Sequence, residues 1–272
     1  MTRPKLAGVV GFEPTMTISK TAALGRTRRY PSINTYMHLA TNINTLATID
    51  TSRKEYVDFK SAILGIDWTP SSYITPSNNA LAYAPGVVFA NIPFVNDHPA
   101  HKQSWGQATT GNIFQTQQFK KLWDSSIPLF SYIEELVPNH RIVKAEILAT
   151  KPHAVNNKAE VERIHLDGKK FHKLATRCQI AFLSNPDCFL FVEDSKINVT
   201  EGTIFEFNNR LCHWGVNWGT TLKVCLVVDM IDLAVWNKLS DHDRATFFDI
   251  DVTKEEIKYM INFKQRRLNG TA

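Results

Sequence analysis

Two histidines and one aspartate have the residue types and the spacing to hold a metal ion. His165 and Asp167 flank one leucine in the stretch "ERIHLDGKK", ahead of a run with strand character. Residues two apart in a strand point to the same face, so both side chains can reach one ion. His213, in "NNRLCHWGVN", supplies a third ligand from another predicted strand. The alternative for His165 and Asp167 is a polar patch at a strand end, because this pair at this spacing often occurs by chance.

The chemistry of such a site depends on how many coordination positions the protein leaves open. Two imidazoles and one carboxylate on one side of an ion leave three positions free, an arrangement that suits Fe(II) with a cosubstrate and oxygen bound together. The same three ligands also suit Zn²⁺ with a bound water, as in a hydrolase. A cupin-like barrel that binds a metal without turning anything over is a further alternative.

Two cations begin strands that are otherwise apolar. Lys223 opens "KVCLVVDMI" and Arg177 leads "RCQIAF". A cation in such a place either extends its side chain to solvent or meets an anion. A guanidinium binds a carboxylate through two parallel hydrogen bonds, whereas an ammonium acts as a point charge. The two residues therefore predict an anionic cosubstrate near the metal.

Hydrophobic periodicity predicts one long helix followed by many short strands. Apolar residues at helical spacing predict a helix over 116–136, which Pro138 ends. The predicted strands cover 141–149, 161–166, 174–183, 188–193, 196–199, 203–207, 211–217 and 222–231. Short strands at this spacing predict a sandwich or a barrel. Thr253 and Glu256 predict the capping box of a C-terminal helix.

The order of these motifs resembles one branch of a known enzyme family. His165-x-Asp167, "RCQIAFLSNPDCFLFVED", "VTEGTIFEFNNRLCHWGVNWG" and "LKVCLVVDMI" follow one another as in the aspartyl/asparaginyl β-hydroxylase branch of the Fe(II)- and 2-oxoglutarate-dependent dioxygenases. The resemblance extends over residues 140–231. It implies a mainly β fold with flanking helices, namely a double-stranded β-helix of the jelly-roll, cupin-like type.

The resemblance also implies a reaction and a set of metal ligands. His165, Asp167 and His213 would be the catalytic iron ligands, with Fe(II) as cofactor, 2-oxoglutarate as cosubstrate and O2 as oxidant. The implied enzyme hydroxylates an unactivated C–H bond, of an Asp or Asn side chain in a protein or peptide or of a small molecule. Some members lack the carboxylate ligand, whereas Asp167 is present here. Its presence favours hydroxylation over halogenation.

Three further residues carry the implied cosubstrate site. By the resemblance, Lys223 meets the distal carboxylate of 2-oxoglutarate, and Arg177 and Gln179 lie near the cosubstrate. The chain departs from the family pattern at two of these positions. Lys223 stands where the family usually has arginine, and Gln179 stands where histidine is common. We therefore expect the distal carboxylate to meet the single charge of the Lys223 ammonium rather than the two parallel hydrogen bonds of a guanidinium.

The charge of the chain is concentrated at its beginning. Residues 1–30 contain six of the 31 basic residues and one of the 26 acidic residues, which leaves 25 of each in the rest of the chain. A neutral body predicts no nucleic-acid partner. This basic, acid-poor composition is typical of an organelle transit peptide, but the stretch 8–32 resembles the product of a reading frame that runs through a transfer-RNA gene. We favour the second interpretation and expect residues 1–36 to be a disordered or spurious leader. The predicted oxygenase domain is 37–272, with its barrel core at 140–231 and a C-terminal helical extension at 232–272.

Cysteine usage and hydropathy bear on where the chain works. The four cysteines form no CxxC pair, which predicts free thiols in a reducing compartment. No apolar run is long enough to span a bilayer, so no membrane partner is predicted. These features favour a cytoplasmic protein whose partner is a protein, peptide or small-molecule substrate. The oligomeric state does not follow from the sequence. His172, after two lysines, is expected to be solvated.

Overall fold

The computed structural model describes residues 42–66, 68, 87–92, 117–155, 157–247 and 249–270. The strands are β1 (Ile43–Thr48), β2 (Val87–Ile92), β3 (His140–Thr150), β4 (Thr176–Leu183), β5 (Cys188–Val192), β6 (Ser195–Asn198), β7 (Thr203–Phe207), β8 (His213–Asn217) and β9 (Lys223–Asp232). The helices are α1 (Lys54–Leu64), α2 (Gln117–Leu136), α3 (Asn157–Arg163), α4 (Leu233–Trp236), α5 (Asp241–Ala245) and α6 (Lys254–Leu268), and a 3₁₀ turn covers Lys170–Lys173.

The strands form two antiparallel sheets. The large sheet has the order β1-β7-β4-β9-β3-β2 and the small sheet has the order β6-β5-β8. The segment at His165 pairs with His213 on the free side of β8 and so adds a fourth member to the small sheet. From β3 onward the chain supplies the two sheets with four segments each, which interleave as in a jelly roll. The predicted double-stranded β-helix is confirmed, although the described strands leave the two sheets unjoined rather than closed into a barrel.

Alternation along β9 separates an apolar outer face from a polar inner face. Val224 and Leu226 point outward into the core that the large sheet forms with α1 and α2. Cys225 lies on the opposite face, in the apolar cluster between the two sheets. Lys223 and Asp229 have the same parity as Cys225, so both point between the sheets. A strand that looks continuously apolar in sequence therefore places two charged residues in the interior.

Helices cover the outer faces of both sheets. Phe182 of β4 packs against the rings of Tyr56 and Phe59 from α1, with ring centroids 4.8 Å apart in each pair. Met260 and Phe263 of α6 belong to the apolar cluster on the outer face of the small sheet. Among the described residues, no helix has both the length and the apolarity that crossing a bilayer requires.

Most predicted elements agree with the structure, and two predictions are wrong. The helix predicted over 116–136 is α2, and the predicted strands other than 161–166 are observed with ends displaced by at most two residues. Residues 157–163 instead form α3, whose Val161 joins the apolar cluster outside the small sheet. His172 is not solvated, because its side chain packs on Phe171 and only 1% of the residue is exposed. The predictions for residues 1–36 lie outside the described residues.

The predicted capping box at the start of α6 is confirmed and gives a stability prediction. Thr253 Oγ1 accepts a hydrogen bond from the Glu256 backbone N–H, and the buried Glu256 carboxylate accepts one from the Thr253 backbone N–H. We expect Thr253→Ala to lower the free energy of unfolding by about 1 kcal/mol, measured by urea denaturation. Thr253→Ser keeps the hydroxyl and is the control. An equal loss in both variants would contradict the capping role.

Candidate metal centre

The fold brings the three sequence-predicted ligands together. His165 and His213 exchange two backbone hydrogen bonds, with N···O distances of 3.1 and 3.0 Å, so the two residues are direct partners across the small sheet. Their ring centroids are 4.3 Å apart. Asp167 lies two residues further along, and one ligand atom from each of the three residues lies within 4.8 Å of the others. This spacing is short enough for one ion to contact all three.

Both imidazoles present the same nitrogen to the space between them. His165 Nδ1 lies 2.8 Å from the Arg163 carbonyl oxygen, and His213 Nδ1 lies 2.9 Å from the Leu211 carbonyl oxygen. A carbonyl oxygen only accepts hydrogen bonds, so each Nδ1 carries the proton. The lone pair of each ring is therefore on Nε2. Such a hydrogen bond to the remote nitrogen is the usual way in which a protein orients a metal-binding histidine.

Burial keeps the two imidazoles neutral. Desolvation lowers the pKa of His165 to about 4, against the hydrogen bond to Arg163, which raises it. Desolvation and the neighbouring His165 hold the pKa of His213 well below its usual value. Metal ions bind the neutral form of imidazole, so both side chains are in the state that a metal requires.

Asp167 is a buried carboxylate with one oxygen uncommitted. Its Oδ2 lies 2.8 Å from Arg177 Nη1 in an ion pair. Its Oδ1 lies 3.9 Å from His213 Nε2 and accepts no hydrogen bond from the described residues. Desolvation raises the pKa of Asp167 to about 7, and the attraction of Arg177 offsets this only in part. A buried carboxylate oxygen beside two Nε2 lone pairs fits a divalent cation, whose charge would stabilise the ionised form.

A buried ion network holds the carboxylate. Arg177 binds Asp229 through Nε and Nη2, at 2.8 and 3.1 Å, and Nη2 also donates to Glu146 Oε1 at 2.9 Å. Lys144 Nζ donates to Glu146 Oε2 at 2.8 Å. Burial alone would lower the pKa of Arg177, but the carboxylates of Asp167, Asp229 and Glu146 raise it well above its usual value. The guanidinium expected beside a cosubstrate is thus bound to three carboxylates of the protein itself.

Three members of this network were not predicted from the sequence, although each is a charged residue within an apolar stretch. Lys144 and Glu146 lie two apart in the apolar stretch "RIVKAEILAT", and Asp229 interrupts "VCLVVDMI". Charged residues at period two in a buried strand point to the same interior face. Strand pairing then completes the network, because Asp229 lies opposite both Lys144 on β3 and Arg177 on β4.

Lys223 also lies between the two sheets but is not part of the Arg177 ion network. It is 2% exposed, and no carboxylate of the described residues forms an ion pair with it. A Cβ atom added to Gly215 would lie 3.2 Å from Lys223 Nζ, so the ammonium crosses from the large sheet to β8 of the small sheet. Gly215 follows His213 by two residues and shares its face of β8. The lysine therefore approaches the strand that carries His213, one of the three candidate ligands.

Hydrogen bonds position the beginning of β9. The buried Asn217 side chain donates to the carbonyl oxygens of Thr150 and Thr221, at 2.9 and 2.8 Å, and so ties the β8–β9 turn to β3. Gln179 is 4% exposed and lies on the inner face of β4, two residues from Arg177. Lys223 and Gln179 therefore both line the space between the sheets.

Comparisons with known proteins found similarity in solved structures only. No protein-family model matches the sequence, and no curated protein matches it. A prolyl hydroxylase in complex with a hypoxia inducible factor peptide fragment, from Trichoplax adhaerens, has 11% identity and a TM-score of 0.41, over 82% of this chain and 98% of that chain. A 2OG-Fe(II) oxygenase family oxidoreductase from Burkholderia pseudomallei has 7% identity and a TM-score of 0.38, over 81% and 95%. HygX from Streptomyces hygroscopicus, with nickel and 2-oxoglutarate bound, has 10% identity and a TM-score of 0.38, over 74% and 86%.

Proposed function

We propose that the chain is an Fe(II)- and 2-oxoglutarate-dependent dioxygenase that hydroxylates an unactivated C–H bond. The observation that carries the proposal is the cluster of two Nε2 lone pairs and one carboxylate oxygen without a hydrogen bond, with ligand atoms within 4.8 Å of one another; Asp167 and His213 are buried and His165 is half-buried. His165, Asp167 and His213 would hold the iron on one side. Three positions on the other side would stay open for a cosubstrate and oxygen.

The charges of the interior support an anionic cosubstrate. The buried network contains three carboxylates and two cations, so one negative charge remains when all five groups are ionised. A divalent cation reverses the sign of that charge, and Lys223 adds a further positive charge. An anion with two carboxylates can then bind the metal at one end and the ammonium at the other. 2-Oxoglutarate has this form, and we propose that Lys223 binds its distal carboxylate while Gln179 lines the same cavity.

The residues of the chain would hold the reactants and exclude water. When bound, iron supplies the oxygen chemistry that the side chains cannot perform. The carbonyl oxygens of Arg163 and Leu211 keep both rings aimed at the metal. Arg177 and its partners would hold Asp167 in place. The apolar cluster between the sheets would exclude water from the end of the cavity where the cosubstrate binds. A dry cavity strengthens the attraction between Lys223 and a carboxylate.

The proposed substrate is an Asp or Asn side chain in a protein or peptide, with small molecules as the second class to test. This choice follows the motif resemblance over residues 140–231. A cytoplasmic location fits the four cysteines, which are free and buried. Buried thiols of this kind are usual where the surroundings are reducing.

Succinate formation tests the proposal. The full chain is incubated with Fe(II), 2-oxoglutarate and Asp- or Asn-containing peptides under air, and succinate and a gain of one oxygen atom in the peptide are measured. We expect succinate only when both Fe(II) and 2-oxoglutarate are added. Ester or peptide hydrolysis that requires Zn²⁺ would instead support a zinc hydrolase. Tight metal binding without any turnover would support a non-catalytic cupin-like protein.

Gly215 gives a prediction about the cosubstrate end of the cavity. In Gly215→Ala the new methyl group would lie 3.2 Å from Lys223 Nζ, closer than an ordinary contact, so the ammonium must move. We expect the KM for 2-oxoglutarate to rise about threefold to tenfold, a loss of about 0.6–1.4 kcal/mol in binding, with metal affinity unchanged. Gly65→Ala is the control, because its methyl group meets nothing closer than 3.5 Å. Equal KM values in both variants would contradict the proposal that Lys223 binds 2-oxoglutarate.

A further inference from the structure

The two oxygens of Asp167 have different surroundings. Oδ2 forms an ion pair with Arg177 Nη1 at 2.8 Å, whereas Oδ1 lies 3.9 Å from His213 Nε2 and has no ion pair with Arg or Lys among the described residues; neither oxygen meets the geometry of a hydrogen bond with those residues. Only Oδ1 is therefore available to an ion held by the two imidazoles. For Oδ2 to join it, the buried pair with Arg177 would have to separate, which is costly away from water.

Arg177 cannot follow a movement of the carboxylate. Its Nε and Nη2 are held by Asp229, and Nη2 is also held by Glu146. Glu146 is held in turn by Lys144. All three guanidinium nitrogens have carboxylate partners, and Arg177 is 4% exposed. The guanidinium is a rigid plane, so its contacts on one edge fix the direction of Nη1 on the other.

We propose that Arg177 is a positioning residue that keeps Asp167 bound to the metal through Oδ1 alone. Two imidazoles and a carboxylate bound through one oxygen leave three of six positions open, whereas a carboxylate bound through both oxygens leaves two. A cosubstrate that chelates with two oxygen atoms, together with O2, needs three. Asp229 and Glu146 act through Arg177 and hold its guanidinium in place. This inference rests on the proposed metal centre and deepens it, because it assigns the open positions to residues outside the ligand set.

The positioning role predicts different changes in affinity from two simpler roles. If Arg177 served only the stability of the fold, its loss would lower the stability, the metal affinity and the 2-oxoglutarate affinity together. If it acted only through its charge, Arg177→Lys would have no effect, because lysine keeps the charge. The positioning role predicts a third pattern. An ammonium cannot contact three carboxylates in the plane of a guanidinium, so Asp167 becomes free to bind the metal through both oxygens.

The test uses Co(II), whose visible absorption reports its coordination number, in the full chain. We expect Arg177→Lys to bind Co(II) as tightly as the unmodified protein or more tightly, and to bind 2-oxoglutarate at the metal about tenfold more weakly. Asp229→Asn, which has almost the same shape, should change both affinities in the same directions by a smaller factor. Asp58→Asn removes an exposed partner of Lys54 and is the control for loss of one carboxylate.

The outcomes separate this inference from the proposed function. An unmodified protein that binds Co(II) but shows no spectral change with 2-oxoglutarate overturns the cosubstrate assignment. Variants that lose Co(II) and 2-oxoglutarate in proportion, or that match the unmodified protein in both, overturn the positioning role alone. If Arg177→Lys does not fold, Asp229→Asn decides the question, since the carboxamide keeps one acceptor for Arg177 but loses the charge and replaces the second acceptor with an NH2 donor.

Discussion

Alanine at His165, Asp167 or His213 is expected to abolish turnover and to weaken metal binding at least tenfold. Each variant removes one of the three side chains whose ligand atoms lie within 4.8 Å of one another. With two ligands left, the metal keeps too little of its coordination shell to stay bound at ordinary concentrations. Metal content after dialysis and succinate formation are the two measurements, and thermal unfolding in chelator shows whether the fold survives.

The control for the ligand variants must be an exposed histidine. His242→Ala is suitable because His242 is exposed on α5, and it should keep full metal content and activity. His172, which the sequence predicted to be solvated, is unsuitable because it is buried against Phe171. Retention of metal in Asp167→Ala together with its loss in His242→Ala would show that the ion binds elsewhere.

The proximity of the three candidate ligands could be predicted from the sequence because it depends on local rules. His165 and Asp167 share a face at period two whatever the sheet order, and His213 begins a strand with clear alternation. The pattern also predicted most strands, since turn residues separate the apolar runs. The segment before His165 was assigned wrongly as strand. Its Val161 and Ile164 are three residues apart and fit a short helix equally well, and only packing against the small sheet decides between them.

The ion network could not be predicted, because it depends on which strands are neighbours. Arg177 and Asp229 are 52 residues apart in the chain and become partners only when β4 pairs with β9 in the observed register. A shift of one residue would turn Asp229 to the outer face, among the apolar side chains that meet the helices. From the sequence alone, Arg177 was predicted to lie near an anionic cosubstrate. The structure supplies three protein carboxylates, while Lys223 has no carboxylate partner among the described residues.

That difference between the two cations makes Lys223 the sharper test of the cosubstrate site. We expect Lys223→Ala to raise the KM for 2-oxoglutarate roughly thirtyfold or more, because removing one partner of a buried charge pair costs about 2–5 kcal/mol. Metal affinity should stay within about twofold, since an ammonium contributes no ligand to a cation. Titration of 2-oxoglutarate in the succinate assay gives the first value, and titration of Co(II) gives the second.

Two further substitutions separate charge from packing at Lys223. Methionine keeps the unbranched apolar stem that crosses toward Gly215, so Lys223→Met should preserve stability and still show the high KM. Lys223→Arg keeps the charge and should retain part of the affinity, but its planar head is larger than an ammonium and Gly215 leaves little space for it. A lysine that only fills space would be replaced by methionine without a change in KM. That result would show that the buried ammonium of Lys223 does not bind the cosubstrate, and it would remove the physical reason for a dicarboxylate in this cavity.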